Sequence, residues 1–301
     1  MNPHRLRAYF YLLLVAVIWG TAVPIIKFTL QGIDPLPFLS YRIAIASLVS
    51  IIFLKIGGVK LPKPKETFPL LLAYGFLAVP LALGALFTGL DKSTVLDLTL
   101  IGAIGPMVVI FGGALFFRDH ITRKEKIGIG IVLVGVFINS FYPILQGSPQ
   151  IRLTGNLFLI IFLLSDSASV LVAKRAVQNK VKPEILTNMA FIIGAIVLIP
   201  ITLTAYPAQE LVSSILTLPL KYHLGVWYMA LLSGNLAYFL YVRAQRSIEV
   251  SEATLFSYLQ PIFAVPLAIF WLGEKLTPRF IIGALIIATG LIIAEYKKRN
   301  S

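Results

Sequence analysis

Residues 259–274 read LQPIFAVPLAIFWLGE. The stretch is apolar enough for lipid, yet it carries a glutamine, two prolines and an abrupt Gly-Glu stop. A soluble core helix rarely keeps both Pro261 and Pro266, because each removes a backbone donor and crowds the preceding turn. A membrane helix keeps them where neighbouring helices or a wet cavity satisfy the freed carbonyls. The stretch therefore predicts a membrane span that lines something.

The rest of the chain has the same character. Of 301 residues, 58% are hydrophobic and 13% charged, with a mean hydropathy of +0.88. Soluble domains carry roughly 25% charged residues, and no polar stretch here is long enough to make one. Cysteine is absent, which excludes disulfides, thiolate metal sites and cysteine nucleophiles. The net charge of +13 is read as loop charge on one membrane face, so no nucleic-acid partner is expected. The start, MNPHRLRAYFYLLLVAVIWG, has the basic and apolar regions of a signal peptide. No small-x-small cleavage site follows, and it is read as an uncleaved first helix.

A crossing needs about 20 mostly apolar residues. On that ruler the chain divides into ten segments: 8–29, 36–55, 68–89, 94–117, 127–145, 154–174, 185–205, 222–243, 250–272 and 281–296. Alternate loops divide the Lys and Arg residues 19 to 6, with Arg42 left inside a segment. The basic side includes Arg5, Lys55, Arg123, Lys182, Arg243 and Lys298, and the other Lys27, Lys92, Arg152, Lys221, Lys275 and Arg279. Positive residues favour the cytoplasmic face, so both termini are placed there in the cytoplasmic membrane.

Sliding the chain by 155 residues lays 94–138 on 249–293 without a gap. Thr99 falls on Thr254, Pro106 on Pro261, Thr122 on Thr277, Gly128 on Gly283 and Gly135 on Gly290. Acid meets acid twice, Asp97 with Glu252 and Asp119 with Glu274. Shifts near 147 give weaker matches, among them Lys27 on Lys174. The chain reads as two five-helix repeats, 1–147 and 148–301. Five is odd, so the second repeat enters the membrane from the opposite face. Inverted repeats of this kind place a substrate site near the midplane and alternate its access.

The motif LQPIFAVPLAIFWLGEKLTPRFIIGALIIATGLII resembles the closing motif of EamA-type proteins, the ten-span members of the drug/metabolite transporter superfamily. VAVIWGTAVPIIKFTLQGIDPLPFLSYRIAIASL, with Trp19-Gly20 and Arg42, is similar to the family's opening. The resemblance covers essentially the whole chain. It departs at Gln260, where many members have Glu, and at Asp119, where Glu is usual. The family's substrates range over amino acids, other metabolites and toxic compounds, so the resemblance implies a transporter without naming a cargo.

Ionisable groups inside the bilayer usually face a cavity or a partner. Asp166, mid-span in LLSDSASVL, is read either as a proton-coupling or substrate-amine group, or as a carboxylate satisfied by neighbouring serines. Arg42 either snorkels to the outer interface or holds an anionic substrate group; Lys27, nearer the edge, is read as an interfacial anchor. Asn235 and Tyr238 share a helical face, and Gln260 stands mid-span. These groups orient a small solute or bind helices together. Trp19 falls mid-span although tryptophan favours interfaces. Asp97 and Glu252 sit in first helical turns, where acids suit the dipole, and Glu274 and Asp119 end spans. Pro106 and Pro261 are expected to break their helices at equivalent depths beside a central cavity.

Gly128-x-Gly130 and Gly283 follow no strand, so the dinucleotide reading fails. There is no phosphate-binding loop and no His-Glu-x-x-His, and no catalytic set, metal site or cofactor is expected. The reading is an all-α integral membrane protein with ten helices around a central cavity. Its function is taken as secondary transport of small metabolites, read as export, with protons as a candidate coupling ion. An integral-membrane enzyme for lipid-linked substrates, or an uncoupled exchanger or channel, are the alternatives. Oligomeric state is left open.

Overall fold

The computed structural model describes residues 3–57, 64–117, 123–145, 150–244 and 256–295, and all regular structure among them is helical. The first half comprises α1 (Pro3–Thr29), α2 (Pro35–Ile56), α3 (Pro64–Phe76), α4 (Ala82–Lys92), α5 (Val95–Gly102), α6 (Gly105–Phe117) and α7 (Arg123–Leu145). The second comprises α8 (Gln150–Gln178), α9 (Pro183–Ala205), α10 (Ala208–Leu216), α11 (Leu220–Trp227), α12 (Ala237–Ala244), α13 (Gln260–Phe270) and α14 (Pro278–Glu295). A π-helical stretch at Leu77–Leu81 joins α3 to α4, and another at Tyr228–Leu236 joins α11 to α12. Among the described residues seven helical stretches are long and apolar enough to cross a bilayer, and three shorter apolar helices cover 126–138, 256–270 and 280–293.

Many large apolar side chains are exposed along these helices. Phe270 is 88% exposed, and Ile56, Phe116 and Leu285 are also well exposed. Patches of this extent are not carried by a protein surrounded by water, and a helix greasy all round belongs in a core or in lipid. Backbone groups in lipid must be paired within the helix, which explains why the irregular turns fall where helices contact each other. The chain is a multi-pass membrane protein.

The helices pack in a regular pattern. α1 contacts α11, the Tyr228–Leu236 stretch, α12 and α13. α8 contacts α3, the Leu77–Leu81 stretch, α4, α5 and α6. Between these groups α2 lies on α9, and α7 lies on α14. The last pair is close because glycines face backbone. A Cβ at Gly135 would meet the carbonyl oxygen of Gly283 at 3.1 Å, and one at Gly290 would meet that of Gly128 at 2.8 Å. The pairing runs in opposite directions along the two helices, so they are antiparallel.

Pro106 and Pro261 each sit in the first turn of a helix. α5 ends at Gly102 and α6 restarts at Gly105, putting Pro106 at its second residue. A 3₁₀ turn at Phe256–Leu259 precedes α13, where Pro261 is also second. Proline suits a first turn because its missing N–H would have had no helical acceptor there.

Candidate functional site

The π-helical stretch Tyr228–Leu236 builds one wall of a polar centre. Wide turns of this kind are frequent at functional sites, and here two carbonyls of the stretch take side-chain donors. Arg42 Nε donates to the Met229 oxygen at 3.0 Å, and Trp19 Nε1 to the Ser233 oxygen at 3.0 Å. Arg42 is only 2% exposed, so its guanidinium stays inside rather than snorkelling, with its carbon 5.5 Å from the centre of the Phe87 ring. Its Nη1 has no hydrogen-bond partner. On the same wall the Tyr228 hydroxyl donates to the Ile18 oxygen at 2.9 Å and lies 2.6 Å from Thr21 Oγ1.

Aromatic rings continue the wall. Trp19 meets Tyr238 edge-on at 5.2 Å between ring centres and Tyr241 at 5.3 Å. Tyr238 also meets Phe191 edge-on at 5.7 Å. Its phenol lies within electrostatic reach of both Arg42 and Asp166, and Tyr74 on α3 lies within reach of Asp166 and Tyr238. Asp166, on α8, is half-buried; among the described residues no side chain hydrogen-bonds its carboxylate. Of the neighbouring serines, Ser169 donates to the Asp166 backbone oxygen at 2.7 Å and not to its carboxylate. Arg42 and Asp166 thus carry opposite charges that are not paired with each other.

Gln260 and Asn235 are placed differently. A Cβ on Gly20 would meet the Gln260 carbonyl oxygen at 2.6 Å, so the start of α13 lies against α1 beside Trp19. Asn235 Nδ2 donates to the Ala46 oxygen and to Ser50 Oγ, both at 3.2 Å, tying the π-helical stretch to α2. Its Oδ1 is buried without a partner. Asn235 also lines a cavity of about 310 Å³ with Val49, Phe53, Asn188, Phe191 and Phe239. Phe191 stands between that cavity and Tyr238. Tyr74, Phe87, Phe191 and Tyr241 complete the centre although sequence reasoning passed over them. A tyrosine in mid-segment, as at Tyr74, was the available signal.

The sparsely charged end of the bundle holds a second polar group. Asp97, 1% exposed, takes a bidentate pair from Arg152, Nε to Oδ2 at 2.8 Å and Nη2 to Oδ1 at 2.9 Å. Its backbone N–H is capped by Thr94 Oγ1 at 3.0 Å, so Thr94 caps α5 while the acid binds Arg152. Glu274 does more than end its segment. Its Oε1 accepts from the Val95 N–H at 2.7 Å and its Oε2 from the Leu96 N–H at 3.0 Å. Burial pushes this carboxyl above its ordinary range, and the two N–H donors with Lys27 pull against that rise. Lys27 reaches past an interfacial role to donate to the Leu90 oxygen at 2.5 Å and the Asp91 oxygen at 3.1 Å. Asp119 and Glu252 lie outside the described residues.

Comparison with known proteins agrees with this architecture. A probable amino-acid metabolite efflux pump of Salmonella typhimurium is 24% identical over 94% of this chain and 93% of its own. A protein of the same description from Escherichia coli is 23% identical over 95% and 94%. An uncharacterized transporter of Archaeoglobus fulgidus is 24% identical over 97% of this chain and 100% of its own. A solved crystal structure at 15% identity shares the fold, with a TM-score of 0.65 over 97% of both chains. The model of the EamA-like transporter family matches residues 6–141 and again 153–296. With nearly its whole length matched in this way, the chain belongs to the EamA-like transporter family.

Proposed function

We propose that the chain is a secondary active transporter that exports small metabolites such as amino acids across the cytoplasmic membrane by alternating access. The reading takes the seven long and three shorter apolar helices as ten spans, arranged as two inverted five-helix repeats with both termini cytoplasmic. Support comes from the packing: the contacts of α1 with α11–α13 correspond to those of α8 with α3–α6, while α2 with α9 and α7 with α14 are self-corresponding pairs. The glycine crossing fits the same two-fold relation, because Gly135 meets Gly283 as Gly290 meets Gly128. α6 and α13 begin 155 residues apart, and so do α7 and α14.

The observation that carries the functional reading is the pair of unmated charges around Tyr238. A small zwitterion offers a carboxylate to the free Nη1 of Arg42 and an amine to Asp166, with Trp19, Tyr238 and Phe191 around its apolar part and Gln260 at the edge of the site. Such a cargo needs few polar contacts in a mostly apolar cavity. Gln260 is neutral at physiological pH, so proton coupling falls to Asp166, whose carboxylate takes either a proton or the cargo amine. Proteoliposomes carrying Asp166→Asn test this. Accumulation driven by a pH gradient should be lost while exchange of cargo for cargo persists. Undiminished accumulation in that variant would make the carboxylate structural and the coupling proposal wrong.

A further inference from the structure

The contacts divide the bundle into a group around α1, α11, α12 and α13 and a group around α3, α4, α5, α6 and α8. At the sparsely charged end four hydrogen bonds join them. Lys27 of α1 holds the carbonyls of Leu90 and Asp91 at the end of α4, and Glu274, just beyond α13, holds the first two N–H groups of α5. Each side chain has the charge its target requires: helices expose unpaired N–H groups at the start and unpaired carbonyls at the end. Glu274 is aimed by its own helix. Gly273 adopts φ +71°, and the Glu274 N–H returns to the Ala268 oxygen at 2.9 Å, closing α13 in a glycine-capped turn.

An apolar plug lies beneath these bonds. Val95, Leu96, Ala264 and Ala268 are buried together, with Val23 against them. Val23 is one turn before Lys27 on the same face of α1. The closure therefore has a polar outer layer and a greasy inner one, both shared between the two groups.

We infer that Glu274 and Lys27 are positioning residues for transport, which hold the outer end of the bundle shut by capping α5 and α4 across the two helix groups. The inference rests on the alternating-access reading above. Glu274 touches no cargo in this role; it sets how often the outer end opens. Its two bonds are charge-assisted, and losing them shifts the balance between closed and open forms by about tenfold or more.

The chain's lack of cysteine makes the test direct. Val23→Cys supplies one thiol under the latch, and a membrane-impermeant maleimide reports its exposure from outside in intact cells and from the cytoplasmic side in inverted vesicles. Two variants are compared with that parent. Glu274→Ala removes the acceptor. Val95→Pro removes one of its donors while sparing α5, since proline is tolerated as the first helical residue and Thr94 before it is already extended at φ −116° and ψ 158°. The expected result is faster labelling from outside, about tenfold in Glu274→Ala and less in Val95→Pro, with slower labelling from the cytoplasmic side. An outside rate unchanged in both variants overturns the inference, and so does a rise from both sides, which marks mere loosening. The readout is exposure and not flux, so its failure is distinguishable from failure of the transport reading, which the Asp166→Asn accumulation assay decides.

Discussion

Arg42 is the residue where burial and chemistry pull hardest against each other. A guanidinium in mid-membrane costs roughly 2.5–3.5 kcal/mol even on lenient insertion scales. The Met229 carbonyl and the Phe87 ring offset part of that, and Nη1 is left with nothing. A buried arginine with a purely structural role would have its donors satisfied, whereas Arg152, partly exposed, still places two donors on Asp97. Arg42→Lys separates the two roles. Lysine keeps the charge but lacks the planar fork that binds a carboxylate with two parallel donors. The variant should insert and fold, and the apparent Kd for a carboxylate-bearing cargo should rise about tenfold. Thermal-shift titration of purified protein measures both properties at once. An unchanged Kd with a lowered Tm would assign Arg42 to helix packing alone.

Among the elements, the interrupted segments carry the most consequence. Pro261 sits in the first turn of α13 after a 3₁₀ turn, where its missing N–H costs little, and alanine in its place supplies the donor that a helix continued through that turn would need. The break would then tend to heal into a continuous helix. Pro261→Ala should therefore leave membrane insertion intact and slow initial efflux several-fold, and wild-type flux would make the proline merely tolerated. Proline, which acts locally, marks the first turns of α6 and α13, and the apolar helices were legible in the sequence, since hydropathy needs only the segment itself. The π-helical stretches were not. Tyr228–Leu236 contains no proline, and its wide turn changes the phase of the helix between Asn235 and Tyr238. Their three-residue spacing predicts one shared face, yet Tyr238 meets Trp19 and Asn235 meets Ala46 and Ser50. Long-range pairings were equally hidden. Arg42 finds Met229 187 residues away and Glu274 finds Val95 179 away, and an acid at the end of a helix does not name its partner.

At the scale of the whole molecule, parity decides the architecture. Among the described residues seven helical stretches are long and apolar enough to cross, and three shorter apolar helices at 126–138, 256–270 and 280–293 either cross or do not. If only the seven cross, the two termini lie on opposite faces; if all ten do, they share one. The proposal of ten draws on the packing. The helix at 280–293 is wedged against α7 through glycines whose Cβ atoms would strike backbone, and 256–270 lies along α1 and ends at the Glu274 latch. A helix skimming the interface would instead turn one polar face to water, and neither stretch has one. On the ten-span proposal, the bias of 19 basic residues against 6 predicts that both termini lie in the cytoplasm. Reporter fusions after Lys65, Arg123 and Ser301 should all give the cytoplasmic signal. The Ser301 fusion is the discriminating one, because it alone follows all three short helices. An external signal there, with cytoplasmic signals at the other two, would mean that an odd number of segments crosses after Arg123. The inverted repeat, and the two-sided access built on it, would then have to be abandoned.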